Sequence, residues 1–168
     1  GKPDLDTFAD FLADVGSQYG DAMLVVENNN VGYSVLTKLA DKQYPNLYYS
    51  VKSTHEYIEQ HRAEQRSNCI AGFTTSMKTR PLIVAKLEEF IRNQLITVRS
   101  RRLFNELTTF VWNNGKPEAM RSYNDDLVLS LAIACWVRDT ALISNQRDME
   151  YSRAMLGSIT KKSVELNT

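Results

Sequence analysis

Two adjacent carboxylates, Asp125 and Asp126, stand at the mouth of an apolar segment in the run Tyr123-Asn124-Asp125-Asp126-Leu127-Val128-Leu129-Ser130. The stretch that follows, Leu127 to Val137, is apolar almost all round, so it reads as a largely buried helix. Carboxylates at the N-terminus of such a helix sit on a rigid element, and the helix dipole favours anions there. Two of them have the hard oxygen donors that a divalent cation takes. The plainer reading is capping, because Asn and Asp are among the commonest N-cap residues.

A third carboxylate, Glu27, ends the apolar run Met23-Leu24-Val25-Val26. That run is short and partly β-branched, with polar residues on both sides. It reads as a strand buried on both faces of an α/β sheet. Ligands in open α/β sheets bind beyond the carboxyl ends of strands, which is where Glu27 and the small polar residues Asn28 to Gly32 fall. The competing reading makes Glu27 the first solvated residue after the strand.

The basic residues fall in two groups. Lys78 and Arg80 follow the Gly72-Phe73-Thr74-Thr75-Ser76 loop, just before the helix announced by Pro81, a place that suits a phosphate. Arg99, Arg101 and Arg102 form the second group. Both could grip a nucleic-acid backbone without reading sequence, or could be ordinary solvated charge.

The elements that must position these residues alternate between helix and strand. Asp4 to Tyr19 carries Leu5, Phe8, Phe11, Leu12 and Val15 on a helical stripe, with Asp4 or Asp6 as cap and Gly20 as stop. The strand ending at Glu27 comes next, then a helix over Val31 to Gln43 and a short strand at Leu47 to Val51. This order argues for a parallel crossover unit. Lys52 to Arg66 is polar and charged and reads as an exposed insertion. Further on, the pattern predicts a helix after Pro81, an edge strand at Leu95 to Val98 and a helix over Leu103 to Phe110 capped by Ser100. Asn113-Asn114-Gly115 marks a turn, and the chain beyond Ala141 is mostly polar.

Composition narrows the classes. A length of 168 residues, with 43% hydrophobic and 24% charged, fits one soluble globular domain with a real core. Zero formal net charge leaves no global basic field, so any nucleic-acid surface must be local. The two cysteines, Cys69 and Cys135, have no metal-ligand spacing, and Cys135 reads as a buried small hydrophobe. Two histidines are too few for a His-rich zinc site. A signal peptide and an apolar run of membrane-spanning length are both missing.

Taken together, Val25-Val26-Glu27-Asn28 with Val31-Gly32, Gly72-Phe73-Thr74-Thr75 with Lys78, and Tyr123-Asn124-Asp125-Asp126-Leu127-Val128 before a long apolar helix form an ordered pattern. It resembles the C-terminal nuclease domain of the large terminase subunit of tailed bacteriophages, over roughly Asp4 to Leu142. The resemblance implies an RNase H-like α/β fold over residues 1–142, with 143–168 as a C-terminal tail. It implies a metal-dependent endonuclease that cuts double-stranded, concatemeric DNA during genome packaging in the host cytoplasm. Glu27 would match the middle acidic residue and Asp125 the last, with Asp126 sharing in coordination of two Mg²⁺ or Mn²⁺ ions. Lys78 and Arg80 would lie near the scissile phosphate or steer DNA, and Arg99, Arg101 and Arg102 would add backbone contacts. The portal and the small terminase subunit are the implied protein partners.

The family's first catalytic aspartate lies on a strand upstream of the middle one, and here only a helix precedes Glu27. There is also no GxxxxGK[ST] loop of the ATPase motor. An N-terminally truncated nuclease is therefore expected. Its site would lack an arm, its isolated activity would be weak or absent, and an uncovered sheet edge would invite self-association. The alternatives on the same fold are a non-catalytic nucleic-acid-binding or assembly module and a resolvase-type nuclease.

Overall fold

The computed structural model describes residues 4–165, with side chains through 143 and at 146, 149 and 150. Its elements are α1 (Leu5–Gln18), α2 (Val31–Asp41), β1 (Tyr49–Val51), β2 (Tyr57–Ile58), α3 (Gln60–Ala63), β3 (Cys69–Ala71), α4 (Thr79–Arg92), α5 (Arg101–Thr108), β4 (Phe110–Asn113), β5 (Lys116–Ala119) and α6 (Asp126–Glu165). The chain is thus mixed α/β, as the alternation of patterns implied.

The sheet has the order β2-β1-β3, all antiparallel. The segment ending at Glu27 joins it through two parallel bridges, Leu24 to Leu47 and Glu27 to Phe73. The link from Leu24 through α2 to Leu47 is therefore the parallel crossover expected. Side chains of this segment alternate between two cores, as the strand period of two requires. Leu24 and Val26 join Ala9, Val35, Leu39 and Leu47 under α1 and α2. Met23 and Val25 join Tyr48, Phe73, Ile83, Phe90, Val128 and Ala132 under α4 and α6. Helices therefore cover both faces of the sheet.

Several expectations change. Residues Met23 to Val26 pack on both faces yet stay only partly buried. The cause is their outer edge: among the described residues, the backbone N–H and C=O groups of Met23, Val25 and Glu27 have no partner, while Leu24, Val26 and Asn28 bond inward. Lys52 to Arg66 is not a simple exposed insertion. It returns as β2 and α3, because Tyr57 stacks on Tyr48 at 5.5 Å and Ile58 and Ala63 are buried. Among the described residues Leu95 to Val98 forms no strand and has no ladder partner, and Ile96 packs against the core. On α1 the buried face is Leu5, Ala9, Leu12 and Gly16, and Phe8 and Phe11 are left exposed. Gly16 packs against Tyr44, just beyond α2, and a Cβ added there would sit 2.2 Å from Tyr44 Oη. The tail expected at 143–168 continues α6 as helix to Glu165, and residues 166–168 lie outside the described residues. Among the described residues no helix is long and apolar enough to cross a membrane.

Gly72 decides where Glu27 sits. At this residue the chain leaves its antiparallel pairing with β1 and turns to pair in parallel with the Glu27 segment, Phe73 N–H donating to Val26 O at 2.9 Å. The turn uses φ +82, and an added Cβ would lie 2.5 Å from Val26 O. Both conditions favour glycine. Gly72→Ala should therefore cost more than about 2 kcal/mol in urea denaturation; a midpoint equal to wild type would contradict this placement.

Tyr48 supplies a pH signature. It is 0% exposed, its hydroxyl has no hydrogen-bond partner among the described residues, and burial, with Tyr57 adding to it, pushes its pKa up to about 12. Folding keeps the neutral phenol, whereas an unfolded tyrosine ionises near about 10. The associated stability is present below pH about 10 and is lost as pH rises through about 12. Tyr48→Phe should leave stability at neutral pH unchanged or higher by up to about 1 kcal/mol and should flatten the alkaline loss, read by thermal melts across that pH range.

Candidate functional site

Glu27 is held by the two asparagines that follow it. Asn29 Nδ2 donates to Glu27 Oε1 at 2.9 Å and to Thr75 O at 3.1 Å. Asn28 Nδ2 donates to Ala71 O at 3.2 Å and lies 3.0 Å from Thr74 Oγ1. These bonds pin the loop after the strand to the loop after β3. They also fix one oxygen of Glu27 and leave Oε2 without a partner among the described residues.

The two aspartates take different roles. Asp126, the first residue of α6, is exposed and lines a cleft of about 330 Å³ with Glu27, Met23, Val25, Leu129 and Ser130. Asp125 is turned toward the β4–β5 hairpin. Its Oδ2 takes a hydrogen bond from Ala119 N at 3.3 Å and an ion pair from Arg80 Nη2. Both members of that pair are mostly buried, at 21% and 18% side-chain exposure, so Arg80 serves as a tether. Its Nε also donates to Pro117 O at 2.7 Å. Asp125 Oδ1 stays without a partner among the described residues.

A third carboxylate reaches the same helix end, and the sequence reading did not single it out. Glu106, on α5 and only 7% exposed, accepts from Leu127 N at 2.8 Å. It therefore caps α6 from another element and complements the helix dipole. The only trace in the sequence is the i,i+4 spacing to Arg102, whose Nε lies 3.5 Å from Glu106 Oε1.

The other basic residues are spread out. Lys78 is exposed at the start of α4, where Ser76 Oγ caps the helix by accepting from Lys78 N and Thr79 N at 3.2 and 3.1 Å. Arg99 and Arg101 are exposed, and among the described residues neither lines either of two clefts at Glu27. Arg102 instead lines a polar recess of about 440 Å³ with Glu106, Tyr123 and Asn124. The second cleft at Glu27, about 410 Å³, lies between the loop of Thr75, Ser76 and Met77 and the hairpin turn Asn114 to Pro117, and it includes Arg80 and Lys116.

Glu27 thus belongs to two clefts, one shared with Asp126 and one with the cations Arg80 and Lys116. Hard carboxylate oxygens with one atom tethered and one open suit Mg²⁺ or Mn²⁺. Among the described residues, no three His, Cys, Asp or Glu side chains gather into a ready metal cage. The structure brings together a carboxylate pair, with Asp125 tethered next to it in sequence. Comparison with protein-family models, with curated proteins and with solved structures gives no match.

The cap on α6 is testable by itself. Glu106→Ala leaves Leu127 N–H without its acceptor and should cost about 1–3 kcal/mol, measured by urea unfolding. Glu106→Gln keeps an acceptor and should cost less. Equal, negligible losses in both would show that Glu106 does not hold the helix end.

Proposed function

We propose that the chain is a metal-dependent DNA endonuclease domain of terminase type, with an RNase H-like arrangement. The observation that carries this reading is the double membership of Glu27. It shares one cleft with Asp126 and the other with Arg80 and Lys116. Phosphodiester hydrolysis needs both neighbourhoods at one point: oxygen ligands for a divalent cation, and positive charge for the phosphate.

Glu27 Oε2 and the Asp126 carboxylate are the ligands available in the cleft, while Asp125 is held toward the hairpin. A bound Mg²⁺ or Mn²⁺ would supply Lewis acidity and lower the pKa of a coordinated water. The chain's own residues do the positioning. Asn29 orients Glu27, and Glu106 and Arg80 fix the start of α6. Arg80 also keeps positive charge beside the carboxylates. The open backbone edge of Met23 to Glu27 leaves one side of the acidic cleft uncovered, which fits a site whose remaining arm lies on another strand. Double-stranded DNA is the substrate in this reading, and the portal and small terminase subunit are the protein partners.

A second reading, a nucleic-acid-binding or assembly module without catalysis, draws on the Asp125–Arg80 tether, which gives that carboxylate a purely structural use. Plasmid nicking in Mn²⁺ separates the two. This chain should nick slowly. Glu27→Gln and Asp126→Asn should each lower the rate by at least about 10-fold. DNA binding with no response to Mn²⁺, or variants that nick as fast as wild type, would remove the nuclease assignment.

A further inference from the structure

Two apolar faces of the chain lie outside its cores. The first is on α1, where Phe8, Phe11, Val15 and Tyr19 recur at steps of three and four residues and so line one side of the helix. None of the four belongs to either core, and Phe11 and Tyr19 are 57% and 78% exposed. The rim of this stripe is acidic, because α1 holds no lysine or arginine. Asp6 and Asp10 are paired with Lys38 and Lys42 of α2, whereas Asp4 and Asp14 have no cation partner among the described residues. Asp4 lies four residues before Phe8, and Asp14 three after Phe11, which places both beside the stripe.

The second face is on the distal half of α6. The helix runs for 40 residues, about 60 Å, yet the core it serves ends at Val137. Beyond that point Leu142, Ile143 and Met149 are 48%, 48% and 56% exposed. Tyr151, Met155 and Ile159 follow at four-residue steps, a spacing that puts them on one side of the helix. From Tyr151 to Val164 the sequence holds Arg153, Lys161 and Lys162 and no carboxylate. A helix standing alone is marginal in water, because most helical stability comes from packing an apolar face. The two faces therefore match in type and in charge, but one chain cannot bring them together. α1 packs with α2 on the Leu24 and Val26 side of the sheet, and α6 packs with α4 on the Met23 and Val25 side. Turning back to α1 would break the continuous helix beyond Val137.

We propose that residues 149–164 of α6 dock on the α1 stripe of a second copy of this chain. The two apolar faces meet, and the positive charge of the docking segment offsets the acidic rim at Asp4 and Asp14. Reciprocal exchange closes the contact as a two-fold dimer. The surface shares no residue with either cleft at Glu27 or with the open edge of Met23 to Glu27. The contact therefore stands or falls independently of the nuclease reading.

The test is sedimentation equilibrium of the full chain at low salt and then across a salt series. The chain should dimerise at micromolar concentrations, and the dimer should weaken as salt rises. Phe11→Ser and Leu156→Ser should each weaken it by at least about 10-fold, with near-ultraviolet circular dichroism checking that both still fold. Asp14→Lys should weaken it as well, reading the same surface without removing an apolar side chain. Mixing the two serine variants should restore part of the association, because one of the two reciprocal contacts is then intact. A chain that stays monomeric at about 100 μM would overturn the proposal, and so would no gain on mixing. A dimer unchanged by Phe11→Ser would overturn it in favour of distal helices or sheet edges pairing with each other. A dimer unchanged by Leu156→Ser would overturn it in favour of α1 pairing with α1.

Discussion

The parallel bridge between Glu27 and Phe73 is the constraint on which the rest of the site depends. It brings the end of one extended segment against the loop after β3, two stretches more than forty residues apart in sequence. Phe73 is 3% exposed and belongs to the core under α4 and α6, and full burial of such a ring contributes about 1.5–3 kcal/mol. The bridge is thus anchored by packing, and Gly72 lets the backbones approach. Asn28 and Asn29 add side-chain bonds across the same junction. Glu27 is held on the best-fixed part of an otherwise open strand.

A second fixed point is the start of α6. Glu106 caps it from α5, while Arg80 and Ala119 hold Asp125 toward the hairpin. The apolar face beyond it, with Val128 and Ala132 fully buried, locks the helix against α4. Because one oxygen of Asp125 is tied, the exposed Asp126 is the carboxylate that meets Glu27 across the acidic cleft. The hairpin is bound into the same network through Pro117 and Arg80. Its cations therefore share a frame with the carboxylates.

Much of this frame was legible in the sequence, and the limits have physical causes. The Ser100 cap and the turn at Asn114–Gly115 carry strong local signals and stand where the residues placed them, whereas the run from Met23 to Val26 makes two isolated parallel bridges in place of the buried strand its residues suggest. Lys52 to Arg66 was misread because its few apolar residues, Tyr57, Ile58 and Ala63, find partners only in the folded sheet. On α1, periodicity showed an apolar stripe, but the width of Gly16 and Ala9 decided which side of it packs. Asp125 precedes α6 and Asp126 opens it, so their order alone cannot say which one faces Glu27. Glu106 shows locally only its i,i+4 spacing to Arg102, because its partner, Leu127 N–H, belongs to another element.

The central claim is that Glu27 and Asp126 form a divalent-cation site. Paramagnetic broadening of backbone amides by Mn²⁺, followed by NMR on the folded chain, tests it most directly because it detects even weak binding at a defined place. Broadening should centre on residues 27–29 and 125–127, spread to 75–77, and disappear from these positions in Glu27→Gln. Broadening centred elsewhere, or unchanged by that substitution, would contradict the account.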